Sequence, residues 1–344
     1  MSPNDGFPIS IESEALLEDI MSTPSPGLVQ DLARVPGDIM ILGVGGKMGP
    51  TLARMARRAA PEKRIVAVAR FSSSGLREEL EAEGIDTIVC DLLDAEAVRA
   101  LPRIENIVFM AGFKFGAQSD PGQTWAMNVQ VPAIVAETFR DSRIVAFSTG
   151  CVYPFAEVRE GGSSEDVTPE PPGEYAITCL GRERMFQHYS KLYGTPGVLF
   201  RLNYAIDLRY GVLHDLAQKI IDRKPIDVSM GHVNIIWQGD ACAQALRSLA
   251  HCASPPMPLN VSGPEILSVR WLAQELGRRL DIEPEIIGVE AERSWLTNTA
   301  RAAQLFGYPS VSALTMIGWV ADWVAAGRRS LGKPTKFEVR SGAY

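Results

Sequence analysis

Asp38-Ile-Met-Ile-Leu-Gly-Val-Gly-Gly-Lys-Met-Gly-Pro-Thr-Leu-Ala-Arg-Met-Ala56 is the stretch on which the reading of this chain turns. The apolar run Ile39 to Leu42 predicts a buried strand. Gly43, Gly46 and Gly49 follow at a spacing of three, and Thr51 to Arg58 predicts a helix. Strand, glycine turn and helix make the phosphate-binding start of a βαβ unit. Gly43 permits the sharp turn, Gly46 lets a pyrophosphate approach the backbone, and Gly49 lets helix and strand pack closely. The first N–H groups of the helix then face the anion. Lys47 and Met48 lie inside the same loop and are candidate contacts. A glycine triplet also occurs in ordinary α/β turns, so the rest of the chain has to decide.

Working outward, Arg64 to Ala69 predicts a second strand that ends in Arg70-Phe-Ser-Ser-Ser. A dinucleotide fold meets the adenosine ribose at this point. Arg70 cannot accept a hydrogen bond from a ribose hydroxyl, but it can pair with a 2′-phosphate, so the expectation is NADP over NAD. Ser72 and Ser73 add donors. Asp91 and Leu92 follow a third strand, where such folds edge the adenine. Asn106 to Met110 predicts a fourth strand, after which Ala111 and Gly112 leave room for a cofactor to cross the strand end. A helix with Asn128, a fifth strand ending at Ser148, a helix opening at Glu174-Tyr175 and a sixth strand at Val198 to Leu202 complete the alternation. The pattern predicts an α/β fold with a doubly wound parallel sheet.

Composition narrows the function classes. The chain has 344 residues, 22% charged and 46% hydrophobic, as expected of a globular protein. A net charge of −7 argues against a nucleic-acid surface. The five cysteines include no CxxC pair and the four histidines show no metal spacing, so no metal is expected and a reduced, cytoplasmic setting is. No apolar stretch approaches the roughly 20 residues of a membrane span. The acidic N-terminal arm (Asp5, Glu12, Glu14, Glu18, Asp19) does not resemble a secretory signal. Ile11 to Met21 predicts a short helix that Pro24-Ser-Pro-Gly27 would stop, within an arm lying on the body or on another subunit.

Several segments, taken in order, resemble the extended short-chain dehydrogenase/reductase superfamily, in its NAD-dependent epimerase/dehydratase branch. Gly43-Val-Gly-Gly-Lys-Met-Gly is similar to that family's GxxGxxG, Cys90-Asp-Leu to its adenine-contacting Asp, and Phe109-Met-Ala-Gly to its HxAA strand end. Asp120-Pro and Asn128-Val stand where the family has DP and NV. Phe147-Ser-Thr-Gly-Cys-Val-Tyr-Pro resembles its SSxxVYG segment, and Arg201-Leu-Asn-Tyr its RxxNvyG. Later, Val233-Asn-Ile-Ile-Trp-Gln-Gly-Asp and Leu259-Asn-Val-Ser-Gly-Pro-Glu resemble its VDD turn and NvGggE return. The likeness spans about 38 to 327. It implies a Rossmann core over 38–203 plus 233–263, a smaller and mostly helical substrate lobe over 204–232 plus 264–330, an arm at 1–37 and a tail at 331–344. It also implies a dinucleotide cofactor, a sugar-type small-molecule substrate oxidised to a keto intermediate, and a homodimer.

The resemblance further implies site residues. Ser148 would hydrogen-bond the reacting oxygen and Tyr175 would be the general acid/base. Thr149, Tyr153, Asn203 and Arg209 are candidates for substrate contact, with Tyr210 beside them, and Arg209 could clamp a carboxylate or phosphate. One departure stands out. The family follows its tyrosine four residues later with Lys, and this chain has Cys179. Residues i and i+4 share a helix face, and a cation there would lower the phenol pKa from about 10. A neutral thiol cannot. Lys114 is the preferred substitute cation and Arg182, seven residues after Tyr175, the second. Two functions stay open: an epimerase, dehydratase or dehydrogenase, or a dinucleotide-binding sensor or scaffold that has lost catalysis.

Overall fold

A computed structural model describes residues 6–114 and 116–342; Asp5 of the acidic arm, Phe115 and the last two tail residues lie outside it. Helices α1 (Glu14–Ser22) and α2 (Pro26–Arg34) precede β1 (Ile39–Leu42) and α3 (Gly49–Ala59). Then come β2 (Ile65–Ala69), α4 (Leu76–Ala82), β3 (Asp86–Val89), α5 (Ala95–Arg99) and β4 (Asn106–Phe109). The helix expected around Asn128 is α6 (Pro121–Trp125), a π-helical turn (Ala126–Gln130) and α7 (Val131–Thr138). After these follow β5 (Arg143–Thr149), α8 (Gly173–Tyr193), β6 (Gly197–Leu202), α9 (Val212–Ile221), α10 (Gln238–Arg247) and β7 (Met257–Val261). Helices α11 (Val269–Leu280), α12 (Ala300–Phe306) and α13 (Ala313–Ala325) complete the order.

The seven strands form one sheet in the order β7-β6-β5-β4-β1-β2-β3, every neighbouring pair parallel. Four-residue apolar runs such as Ile39–Leu42 are buried on both faces, as a helix-covered parallel sheet requires. On one face α2, α3 and α10 bury Leu32, Leu52, Met55 and Leu246; on the other α7 and α8 bury Val131, Val135 and Phe186. The strand order reverses at β1, which pairs with β2 on one side and β4 on the other. Leu42 stands level with Val68 and Phe109, so the loops after all three strands open at one place.

A second core gathers Leu213 and Leu216 of α9, Leu272 and Leu276 of α11, and Trp319 and Trp323 of α13. Leu17 and Met21 of α1 belong to it, and so does Phe337 of the tail. The arm and tail are therefore structural parts of this body. The Pro24–Gly27 segment stops α1 as expected, but it also starts a helix the sequence reading lacked. The Ser25 hydroxyl accepts from the Leu28 N–H at 3.2 Å, and Pro26 fits the first turn, where no N–H is needed.

Candidate active site

A crevice of about 220 Å³ opens where β1 and β4 diverge, and Gly43, Gly46, Arg70, Asp91, Leu92, Ala111 and Gly112 all line it. Gly43 has φ +93°, and a Cβ there would stand 2.7 Å from the Ala111 nitrogen. At Gly49 a Cβ would stand 2.1 Å from the Val44 carbonyl oxygen, so these two glycines are required by the fold itself. Gly46 differs: its nearest neighbour would be the Gly43 oxygen at 3.5 Å, an ordinary contact. No side chain caps α3. An open glycine beside uncapped helix N–H groups fits a dinucleotide pyrophosphate. At the outer end the Arg70 side chain is 68% exposed and its nearest carboxylate, Asp91, is 4.0 Å away. Ser72 and Ser73 share that wall.

Met110 and Gly112 also line a second cavity of about 270 Å³, so the two spaces adjoin. Lys47 and Met48 line this second cavity and not the crevice, as do Lys114, Ser148, Thr149, Tyr175, Asn203 and Tyr210. The loop carrying Lys114 is held by Asn128, in the π-helical turn. The Asn128 Oδ1 accepts from the Phe113 N–H at 2.8 Å, and its Nδ2 donates to the Phe113 carbonyl at 2.9 Å and to Thr178 Oγ1 at 3.0 Å. Loop and α8 are thereby fixed to each other. Lys114 Nζ lies 5.7 Å from the Tyr175 ring centroid.

Residues Tyr175, Cys179, Arg182 and Glu183 fall on one face of α8, by helical spacing. Tyr175 packs against Cys179. Burial, then Cys179 and Cys151, push the Tyr175 pKa well above that of a free phenol, and Arg182 pulls it down only in part. Burial likewise pushes the Cys179 thiol up to about 11. Tyr175 is therefore a protonated phenol at neutral pH. Arg182 is fixed by donating to the Phe147 carbonyl at 2.7 Å and to Asn128 Oδ1 at 2.8 Å.

Ser148 donates to Glu183 Oε1 at 2.6 Å. Glu183 is buried and pairs with buried Arg201, Nη2 to Oε2 at 2.7 Å and Nε to Oε1 at 2.9 Å. Arg201 in turn donates to the Tyr153 hydroxyl, which donates to Asn260 Oδ1 at 2.9 Å. Because its proton is committed to Glu183, Ser148 offers lone pairs to the cavity. It accepts there.

Two expected substrate residues are placed elsewhere. Tyr153 is 1% exposed, because the 3₁₀ turn after β5 sends its ring into the buried network. Arg209 does not line the cavity. Its guanidinium meets Asp207, two residues earlier, at 2.7 Å, and Glu18 at 2.6 Å and Glu14 at 3.2 Å, which α1 brings across the chain. Its donors are spent on ion pairs.

The tail supplies wall residues that sequence reasoning missed. Leu331 N–H donates to the Arg209 carbonyl, and Thr335 binds Asp215 of α9 through both N–H (2.7 Å) and hydroxyl (2.5 Å). Gly342 ends against Pro172 and Gly173, at the start of the Tyr175 helix. Thr335 lines the cavity on the way. Glu183 was findable, being eight residues after Tyr175. Nothing local pointed to Thr335.

A model of the NAD dependent epimerase/dehydratase family matches residues 39–217, over half of the chain. No relative was found among curated proteins. Among solved structures, Pal from Bacillus thuringiensis matches with a TM-score of 0.71 at 16% identity, over 85% of this chain and 100% of its own. UDP-glucuronic acid 4-epimerase from Bacillus cereus, in complex with UDP-glucuronic acid and NAD, matches with 0.68 at 18%, over 84% and 99%. UDP-glucose 4-epimerase from Thermus thermophilus, in complex with NAD, matches with 0.67 at 18%, over 83% and 98%. The structural likenesses show the fold, and the family match, together with the glycine turn and the Ser148–Tyr175 cavity, shows that the chain belongs to the NAD dependent epimerase/dehydratase family of enzymes.

Proposed function

We propose that the protein is a nicotinamide-dinucleotide-dependent, epimerase-type oxidoreductase acting at a carbinol–ketone centre of a sugar derivative. The observation that carries this is the adjacency of the two spaces. The crevice that suits a dinucleotide shares Met110 and Gly112 with the cavity that Ser148 and Tyr175 line. The glycine turn and the α3 N-terminus would hold the pyrophosphate, and Arg70 with Ser72 and Ser73 favours a 2′-phosphate, hence NADP. The cofactor, when bound, supplies hydride acceptance and return. Tyr175 is protonated and donates to a substrate ketone oxygen; in the reverse direction it must first lose that proton. Ser148 accepts from a substrate hydroxyl and orients it. A sugar nucleotide is the substrate class that the family and the named UDP-sugar epimerases suggest.

A second reading has one specific observation in its favour. Cys179 stands where the family has its lysine and leaves Tyr175 without that charge, which suits a dinucleotide-binding sensor. Calorimetric titration with NAD, NADH, NADP and NADPH comes first, followed by turnover of UDP-sugars, sugars and sugar acids read by nicotinamide absorbance. Turnover that falls at least a hundredfold in Tyr175→Phe is the expected result. Binding without turnover would favour the sensor, and binding of no dinucleotide would overturn both readings. Arg70→Ala should lower NADP affinity about tenfold and leave NAD unchanged; an unchanged ratio removes the NADP preference.

A further inference from the structure

The second cavity is lined by three cationic side chains, Lys47, Lys114 and Arg182, and by no carboxylate among the described residues. Arg182 is already fixed on Phe147 and Asn128. The two lysines come from separate loops, one from the glycine turn and one from the exit of β4, and meet in the same enclosed space. Lys47 Nζ lies 3.9 Å over the Tyr210 ring and 3.4 Å from the Ala205 carbonyl oxygen, the long end of a hydrogen bond. The groups acting on it are Asp207, Cys242, Lys114 and Arg209. Asp207 is the carboxylate among them, and Arg209 already holds it through Nε and Nη2.

Two ammonium groups lining one cavity attract an anion placed between them more strongly than either does alone. Burial, with smaller contributions from the charges of Lys114 and Arg209, lowers the Lys47 pKa to about 8, against a partial pull upward from Asp207 and Cys242. Burial lowers Lys114 too. Both would regain ordinary basicity beside a negative oxygen. The space is small: about 270 Å³, with the tail's Thr335 in its wall, against roughly 300–1,000 Å³ for most ligand pockets.

We infer that the ligand of this cavity is a compact anion, a sugar-sized molecule whose carboxylate or phosphate lies between Lys47 and Lys114 while a hydroxyl-bearing carbon faces Ser148 and Tyr175. The inference rests on the enzyme reading above and replaces the sugar nucleotide suggested there with a sugar-sized anion. It also moves the anion clamp from Arg209, whose donors are spent, to the paired lysines.

The test is calorimetry on the full chain. NADH and NADPH binding are measured first, and then glucuronate, glucose 1-phosphate and glucose are each titrated with and without the dinucleotide that binds more tightly. At least one of the two anions should bind tenfold or more tighter than glucose, and which one does so tells carboxylate from phosphate. Lys47→Met and Lys114→Met should each weaken that anion about tenfold. In the wild-type chain, affinity for the anion should fall about tenfold per pH unit above pH 8, as Lys47 loses its proton, while glucose binding stays flat. This measurement stands if a methionine variant fails to fold. Anions that bind no tighter than glucose, or an anion affinity flat from pH 7 to 10, would overturn the inference. Intact binding of NADH or NADPH in that case leaves the enzyme reading standing, whereas absent binding of both beside a tight anion would count against the enzyme reading alone.

Discussion

Gly46→Ala and Gly49→Ala should separate binding from folding within one turn. At Gly49 the new Cβ would lie 2.1 Å from the Val44 oxygen and 2.6 Å from its carbonyl carbon. These are backbone atoms at the end of β1 and cannot rotate away, so the α3–β1 packing must open. Overpacking of this kind costs about 1–3 kcal/mol. Against it stands about 0.4–1 kcal/mol gained from a stiffer unfolded chain. A net loss of about 2 kcal/mol is expected in urea unfolding. At Gly46 the nearest atom is the Gly43 oxygen at 3.5 Å, which a Cβ tolerates. Stability should hold or rise by about 0.5 kcal/mol, since only the unfolded-state gain applies. The same methyl stands at the crevice wall where a pyrophosphate must touch backbone, so NADH affinity should drop at least about tenfold, or about 1.4 kcal/mol. Urea unfolding and NADH titration of both variants decide it. A Gly46→Ala protein that binds NADH like wild type, or that loses as much stability as Gly49→Ala, would refute the assignment of the turn.

Three further outcomes can be checked on the same protein. Glu183→Gln should cost about 3–5 kcal/mol in urea unfolding, because it strands a buried Arg201, while Glu183→Met with Arg201→Met should recover most of that. Cys179→Lys should lower the Tyr175 pKa: in wild type the oxidative rate should climb with pH up to 10 without a plateau, since only the deprotonated phenol takes a proton, and the variant's profile should shift to lower pH. A rate profile identical in both would show that Tyr175 does not carry the proton. Truncation after Gly332 removes Thr335 from the cavity wall and should raise KM for substrate about tenfold or more while NADH affinity, set at the other end of the crevice, stays within twofold.

What could be read in the sequence was whatever depends on neighbours a few residues apart. The strand–glycine–helix start needed only Ile39 to Arg58, and the two fold-required glycines behave as expected of their positions, Gly43 by its φ and Gly49 by its approach to Val44. The face of α8 was equally local, because Tyr175, Cys179 and Glu183 recur every four residues; counting one step beyond Cys179 would have found the carboxylate that takes the Ser148 proton. Reading failed where partners came from afar. Arg209 looked like a clamp although Asp207 stands two residues before it, and the two further carboxylates that complete its pairing, Glu14 and Glu18, lie almost 200 residues earlier, in an arm read as surface. Lys47 looked like a contact of the glycine turn, and its four-carbon stem also carries the ammonium over Tyr210, in the lining of the second cavity. Charge placement is the least local property of a chain, since a long side chain can leave its own loop and a carboxylate from any element can cancel it. The surroundings of Tyr175 show the same thing in reverse. Cys179 is plain in the sequence, but the cations near Tyr175 come from its own helix at Arg182 and from the β4 exit at Lys114, and only the fold says that Arg182 donates to Phe147 and Asn128 and that Lys47 and Lys114 line one space. Electrostatic function at this site is therefore a property of loop convergence, and substitutions at the loop anchor Asn128 should disturb it as surely as substitutions of the lysines.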